Sequence, residues 1–214
     1  MNQEIERSEK YKSILNSTLF LVSTYGFHGI SMSMIAEDAG IGAGTIYRYF
    51  KNKDDLIYTL IRDIQEKVIR AMLCGYDESM PYRERFELMW LNMTHYYINH
   101  PAEFQYAEQH RHSGYMQHLA RISGLRVLSP VLRFFIEGKK KKLIKDLPLY
   151  TIIAVSRGPI IEMAKLHIDH QQQLTENRVR QACRACWDAL RYTGEEEEET
   201  PEIRGDRGDD GPQT

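Results

Sequence analysis

The chain has 214 residues, of which 42% are hydrophobic and 27% are charged. This composition is ordinary for a globular protein with a hydrophobic core, and no apolar run approaches the length of a membrane-spanning helix. The first residues, Met1 to Glu6, are polar and acidic, so we expect no signal peptide. The sequence has only three cysteines, which indicates a reducing, cytoplasmic setting rather than a disulfide scaffold.

Charge is divided unevenly along the chain, although the formal net charge is only −2. Residues 195–214 hold nine acids and two arginines and carry −7, which leaves +5 on residues 1–194. The mildly basic part permits nucleic-acid binding. Residues 195–214 lack apolar periodicity and are predicted to be disordered, either as a solubilising tail or as a segment that competes with DNA for a basic face.

Helical signals follow one another from the start of the chain. Apolar residues from Tyr11 to Tyr25 recur at helical spacing, and Gly26 is expected to end this first helix. Ser31 can cap a second helix that ends at Gly40, and a third helix is predicted over about 43–50.

A long fourth helix is predicted after Asn52, which is a suitable capping residue. Further helices are expected at about 80–99, 101–113, 123–142, 147–170 and 174–192. The sequence shows no convincing strand alternation. It therefore predicts an all-α fold of about nine helices, with a helix-turn-helix head over 1–52, a helical body over 53–194 and the acidic tail over 195–214.

The stretch from Gly26 to Leu56 is the most informative part of the chain. Small residues at Ala36 and Ala39 allow two short helices to cross closely, and Gly40 accepts the positive φ of a tight turn. The segments that carry a recognisable order are Gly26-Phe27, Ser31, Ile35 to Ile41, Gly44 to Phe50, Lys51 to Lys53 and Asp54 to Leu56. This order of residues resembles the head of the TetR family of bacterial repressors.

The resemblance implies a set of DNA-contacting residues in the head. These are Ser33, Ala43, Thr45, Tyr47, Arg48, Tyr49 and Lys53. Arg48 can donate two hydrogen bonds to a guanine edge, and the hydroxyl groups can bond phosphates. Lys53 is expected to contact a phosphate, whereas Ile35, Ala39, Ile46 and Phe50 are expected to be core.

Two departures affect DNA binding. Gly42 stands where the family has a serine, which weakens a helix cap by roughly a few tenths of a kcal/mol. Residues 1–60 hold six Lys/Arg and seven Asp/Glu, so the head is not basic. Binding is then expected to depend on the placement of Lys10, Arg48, Lys51 and Lys53 and on two heads of a homodimer on a palindromic double-stranded operator.

The body is expected to hold a ligand cavity, as the resemblance implies. Candidate wall residues are Trp90, Met93, Tyr97, Phe104, Phe134 and Met163. Aromatic side chains with polar tips suit a small apolar, aromatic or cationic effector, and Glu162 or Asp169 could pair with a cation. Plain core packing is the alternative for each of these side chains.

The last two helices are expected to form a four-helix dimer interface with a second copy. Candidate interface residues are Ile160, Ala164, Ile168, Val179, Cys183, Cys186 and Trp187. Packing within one chain is the alternative. Gly158-Pro159 is expected to kink the helix over 147–170.

Other chemistry is weakly indicated. Cys183 and Cys186 form a mid-helix C-x-x-C with no second pair, and the histidines lack a metal-ligand pattern, so no metal or cofactor is expected. No hydrolase or nucleotide-binding motif is present, so we expect no enzyme. The leading hypothesis is a ligand-released repressor. Its alternatives are a ligand-independent regulator or activator, and a small enzyme that uses the histidines.

Overall fold

The regular elements are helices throughout the part of the chain that the computed structural model describes, residues 2–110, 129–170 and 173–194. In chain order they are α1 (Asn2–Tyr25), α2 (Met32–Asp38), α3 (Ala43–Ile46), α4 (Lys53–Met72), α5 (Tyr82–Asn99), α6 (Pro101–His110), α7 (Ser129–Lys140), α8 (Leu149–Ile168) and α9 (Glu176–Leu190). The predicted all-α fold is confirmed. The predicted tail over 195–214 and the start of the helix predicted over 123–142 lie outside the described residues.

The helix ends of the head follow from local capping interactions. The Ser31 hydroxyl accepts a hydrogen bond from the N–H of Met34 at 3.2 Å, which caps α2. The Asn52 side chain accepts one from the N–H of Asp55 at 2.8 Å, and the Asp55 carboxylate accepts one from the N–H of Lys51 at 2.9 Å. These two bonds fix the start of α4 in the way that a reciprocal capping box does.

The third helix is shorter than the sequence predicts. It ends at Ile46 rather than near Phe50, and the chain continues in tight turns in which the N–H of Arg48 bonds the carbonyl of Thr45 at 3.0 Å. Gly42 precedes this helix without a side-chain capping bond. The helix is therefore brief because its start is uncapped and its end tightens to three-residue spacing.

Apolar side chains of α1 to α4 form the core of the head. Ile35, Ile46 and Phe50 are buried as predicted, and Tyr11 stacks on Phe50 with ring centroids 5.5 Å apart. Ala39 is only half-buried, because its position ends α2 at the surface of the turn. The head also contacts the body directly, since α1 packs against both α4 and α6.

Helix α5 is the centre of the body and packs against α4, α6, α8 and α9. Pro159 lies inside α8, and because proline has no N–H, the carbonyl of Val155 loses its usual partner four residues later. The Cys186 thiol of α9 donates to that carbonyl at 3.2 Å, and the Trp90 indole of α5 donates to the carbonyl of Ser156 at 3.0 Å. Pro159 thus leaves the Val155 carbonyl free to accept from Cys186, and the neighbouring Ser156 carbonyl accepts from Trp90, so α8 is hydrogen-bonded to both α9 and α5. The expected kink at this position stays a prediction.

A partly buried ion pair joins α5 to α7. The guanidinium of Arg85 bonds both carboxylate oxygens of Glu137 at 3.0 and 3.1 Å, and this contact, followed by that of Lys141, lowers the pKa of Glu137 to about 2. Tyr82 stacks on Phe134 beside this pair, at 4.2 Å between ring centroids, and donates its hydroxyl to the carbonyl of Phe134. The α5–α7 contact is therefore both aromatic and ionic.

We predict that Gly138→Ala lowers the free energy of unfolding by about 1–3 kcal/mol, as overpacking does. A Cβ at Gly138 would lie 2.0 Å from the Tyr82 hydroxyl oxygen, and that ring cannot move freely because it is stacked and hydrogen-bonded. Gly44→Ala is the matched control, because its Cβ would meet no atom within 4 Å. Urea denaturation measures both. Equal stabilities of the two variants would contradict the prediction.

Candidate DNA-binding surface and ligand cavity

The helix-turn-helix is held by backbone hydrogen bonds at the end of α2. The N–H of Ile41 donates to the carbonyl of Ala36 at 2.9 Å, and the N–H of Gly40 donates to that of Glu37 at 3.0 Å. Gly40 has a φ of +66°, as the sequence predicts for this turn. This pair of bonds is a Schellman motif, which reverses the chain so that α3 crosses α2. Buried Ala36 leaves room for the crossing.

The side chains of the predicted DNA contacts are largely accessible around α3. Ser33, Ala43 and Arg48 are exposed, and Tyr47 is 57% exposed although it is a large aromatic residue. Thr45 and Tyr49 are half-buried. An exposed surface of this composition offers a guanidinium and several hydroxyl groups to a nucleic acid, and it leaves the DNA roles themselves as predictions.

Lys53 has a different environment from the other predicted DNA contacts. Its ammonium donates to the carbonyls of Phe27 at 3.0 Å and Ile30 at 3.1 Å, and it lies 4.3 Å from the centroid of the Phe27 ring. Two of its three donors are therefore used within the chain. The side chain connects the start of α4 to the α1–α2 loop. A phosphate contact would have to use the third N–H donor of the ammonium group.

A cavity of about 330 Å³ lies inside the body. Its wall comes from five helices, α4 to α8, and is almost entirely apolar. The lining residues are Ile61, Ile64, Gln65, Val68, Ile69, Met72, Phe86, Met89, Trp90, Met93, Tyr97, Tyr106, Ala107, Val131, Leu132, Phe135, Ile153, Ser156, Arg157 and Ile160. Cavities of this size and lining are typical of small-molecule sites.

Three of the six predicted wall residues line this cavity, namely Trp90, Met93 and Tyr97. The other three do not. Phe104 is buried against Tyr97 at 5.0 Å between ring centroids, and Phe134 is stacked on Tyr82 in the α5–α7 contact. Met163 is half-buried beyond the cavity on α8. These three side chains pack against neighbouring residues, which is the alternative that the sequence left open. A buried apolar residue can face a neighbouring side chain rather than the cavity.

The cavity wall also contains residues that the sequence did not single out. Six of the lining residues belong to α4, from Ile61 to Met72. The available signal was the apolar residues that recur at helical spacing along α4, namely Ile61, Ile64, Val68, Ile69 and Met72. Arg157 was missed as well, and nothing local to α8 marks it as a lining residue.

The residues predicted for the dimer interface lie mostly inside the single chain. Six of its seven side chains are buried within the single chain, and Ile168 is half-buried. The buried residues are Ile160, Ala164, Val179, Cys183, Cys186 and Trp187. A side chain already covered by its own chain cannot reach a second copy, and Ile160 faces the cavity instead. Any dimer built on α8 and α9 must therefore use their outward faces.

The two thiols of the C-x-x-C are inert by position. Burial raises the pKa of Cys183 to about 12 and that of Cys186 to about 11, so both stay protonated near neutrality. Among the described residues, no three His, Cys, Asp or Glu side chains are grouped so as to hold a metal ion. In the same part of the chain, no helix has the length and apolarity needed to cross a membrane.

Comparison with known proteins agrees with this architecture. The sequence model of the bacterial regulatory proteins of the tetR family matches residues 14–58, which contain the helix-turn-helix. The model of the tetracyclin repressor-like C-terminal domain matches residues 81–191, just over half of the chain. The chain belongs to the TetR family of transcriptional regulators. The resemblance seen in the head is therefore confirmed, and the body belongs to the family as well.

Individual relatives of this TetR-family chain match it over part of its length. An HTH-type transcriptional regulator of Haemophilus influenzae is 29% identical over 96 residues, which is 45% of this chain and 51% of that protein. The fatty acid metabolism regulator protein of Bacillus subtilis is 31% identical over 84 residues, 39% of this chain and 43% of that protein. The chain thus spans about half the length of these relatives.

Solved structures share the fold over most of the chain. A TetR family transcription regulator from Marinobacter aquaeolei superposes with a TM-score of 0.83 at 24% identity, over 90% of this chain and 100% of the other. A TetR family protein from Vibrio parahaemolyticus superposes with a TM-score of 0.71 at 28% identity, over 85% and 98%. The head and body are therefore arranged as in other TetR-family proteins.

We predict that Lys53→Gln lowers the free energy of unfolding by about 1–3 kcal/mol, because two carbonyls lose a charged donor. Lys51→Gln is the control, since Lys51 is exposed two residues away, and it should change stability by less than about 0.5 kcal/mol. Thermal or urea unfolding distinguishes the two. A neutral effect of both substitutions would show that the Lys53 contacts do not stabilise the head.

Proposed function

We propose that this TetR-family regulator is a dimeric repressor that binds a palindromic operator through two heads and is released by a small apolar ligand in the body cavity. The observation that carries the proposal is the course of α4. Leu56 and Ile57 in its first turns are fully buried at the head, and Ile61 to Met72 line the cavity. One helix therefore connects the two sites.

The division of labour follows from the position of α4. The head, residues 1–52, presents α3 to DNA, and the body, residues 53–194, holds the ligand and the partner subunit. A ligand that pushes on α4 changes the orientation of the head and so the spacing of two heads in a dimer. DNA and ligand then favour different arrangements, and each weakens binding of the other by the same factor.

The effector is expected to be apolar. The cavity wall is apolar, and an empty volume of this size counts against a fully packed, ligand-independent regulator. The Bacillus subtilis relative is a fatty acid metabolism regulator, which is in keeping with an apolar metabolite. Glu162 and Asp169 are exposed and do not line the cavity, so the case for a cationic effector is weakened.

The outward face of α8 is our revised choice for the dimer interface. Tyr150, Ala154 and Gly158 follow one another at four-residue spacing and are exposed, and Tyr150 is 76% exposed. A Cβ at Gly158 would meet nothing within 4 Å, so a partner helix could approach closely here. On α9, Ala185 and Ala189 are exposed small residues that could extend the same interface.

We predict that Arg48→Ala weakens binding to the specific operator by about 10- to 100-fold and reduces discrimination against random DNA, as loss of a bidentate base contact does. Tyr47→Ala should weaken binding through loss of a phosphate contact. The measurement is an electrophoretic mobility shift on the intergenic DNA upstream of the gene at two salt concentrations. Arg133→Ala, an exposed arginine on α7, is the control.

Two results would count against the DNA-binding surface. Wild-type affinity of Arg48→Ala for its operator would remove Arg48 from base recognition. Equal loss of binding by Arg133→Ala would show that the effect is one of overall charge rather than of the recognition helix. A folded state of each variant, checked by circular dichroism, makes either result interpretable.

We predict that Ala154→Arg and Ala185→Arg each shift the protein from dimer to monomer, because a long charged side chain would be forced into the interface. Ala102→Arg, at an exposed position of α6, should leave the dimer unchanged. Sedimentation velocity at a fixed protein concentration measures all three. If the first two variants sediment as the wild type does, the dimer uses another surface.

A further inference from the structure

We propose that the effector is an apolar molecule with one terminal anionic group, and that this group binds Arg157 in competition with Glu108. This inference rests on the proposed ligand function of the cavity and names the chemical class of the ligand. Arg157 is the one charged residue among the described residues that line the cavity. The other polar lining groups are the amide of Gln65 and the hydroxyls of Ser156, Tyr97 and Tyr106.

The guanidinium of Arg157 is placed to bind an anion. It donates to the Glu108 carboxylate at 2.9 Å and also interacts with Tyr97, a lining residue. Burial alone would lower the pKa of Arg157, but Tyr97 and Glu108 together raise it above its ordinary value, so the group stays charged. A guanidinium has five donors, and a carboxylate or phosphate can take two of them in parallel.

The same residue excludes cationic ligands. A positive group in the cavity would meet the like charge of Arg157 where solvent screens it poorly. The only acid paired with Arg157 in the described contacts, Glu108, does not line the cavity, and no described lining residue is acidic, so a cation gains no acidic partner in the wall. A neutral ligand meets no such penalty but gains no charged hydrogen bond. The order of affinity expected from the wall is therefore anionic, then neutral, then cationic, for ligands with the same apolar body.

Glu108 connects the binding of an anionic ligand to regulation of the head. It lies on α6, and it is ion-paired across to α8 through Arg157. Glu103 on the same helix bonds Lys67 of α4 at 2.9 Å and accepts a hydrogen bond from the Tyr96 hydroxyl. Helix α6 also packs against α1 of the head. An anion that takes Glu108's place on Arg157 removes the tie of α6 to α8, while α6 stays tied to the helices that carry the head.

The test uses three probes with one ten-carbon chain: decanoate, 1-decanol and decylamine. In isothermal titration of the full-length protein, decanoate should bind with at least about 10-fold higher affinity than 1-decanol, and decylamine should bind with the lowest affinity. Arg157→Gln should lower the affinity for decanoate to that for 1-decanol and leave the affinity for 1-decanol unchanged. Glu108→Gln should tighten decanoate by about 10-fold, because the competing carboxylate is gone, and again leave 1-decanol unchanged.

A control variant and a DNA-release assay test whether the effects depend on Arg157. Arg133→Gln, on an exposed position outside the cavity, should bind all three probes as the wild type does. In a mobility shift, decanoate should also dissociate the wild-type protein from DNA. A higher concentration of decanoate should be needed to dissociate Arg157→Gln. If Arg157→Gln unfolds, Glu108→Gln still decides the matter, since only competition with an anion predicts a gain in affinity.

The possible failures are distinguishable. Equal binding of decanoate and 1-decanol, together with no effect of Glu108→Gln, would overturn the anionic class while leaving an apolar ligand site intact. Preferential binding of decylamine would overturn it as well. If none of the three probes binds the wild type, the ligand part of the proposed function fails, and the inference fails with it.

Discussion

The continuity of α4 is the constraint on which the rest of this molecule depends. Its 20 residues span about 30 Å of unbroken helix. The Lys53 ammonium and the buried side chains of Leu56 and Ile57 fix its first turns to the head. Six of its side chains between Ile61 and Met72 line the cavity. Because helices curve only gently, we expect a displacement of α4 at the cavity to move the head.

Helix α5 takes part in buried polar contacts with its neighbours and also lines the cavity of the body. Trp90 and Cys186 satisfy carbonyls around Pro159, and the Arg85–Glu137 pair holds α7. These buried contacts would leave costly unpaired groups if they opened, so the α5, α7, α8 and α9 assembly resists movement. Helices α4 and α6 line the same cavity and also pack against α5. These two lining helices pack against α1 of the head as well, so we expect them to transmit the effect of an occupant.

Charge in the head explains why DNA binding should require two subunits. Lys53 uses two of its donors on carbonyls, and Lys10 is ion-paired with Glu6 at 2.6 Å. Arg48 and Lys51 remain as exposed cations near the recognition helix. Few phosphate contacts per head give a weak electrostatic attraction. Joining two heads raises the effective concentration of the second and compensates for that weakness.

The sequence by itself determined the head and the helical character of the elements that the structure describes. Ser31, Asn52 and Gly40 act on backbone groups within four or five residues, so their effects can be read locally, and the TetR-family resemblance covers the same stretch. Tertiary structure alone decided what each apolar face packs against. An apolar stripe shows that Cys183 or Phe134 is buried, but the neighbour can be the chain itself, a cavity or a second copy. The hydrogen-bond partners Phe27 and Ile30 of Lys53 and Glu108 of Arg157 likewise lie 23 to 49 residues away in the chain, where no local spacing can reveal them.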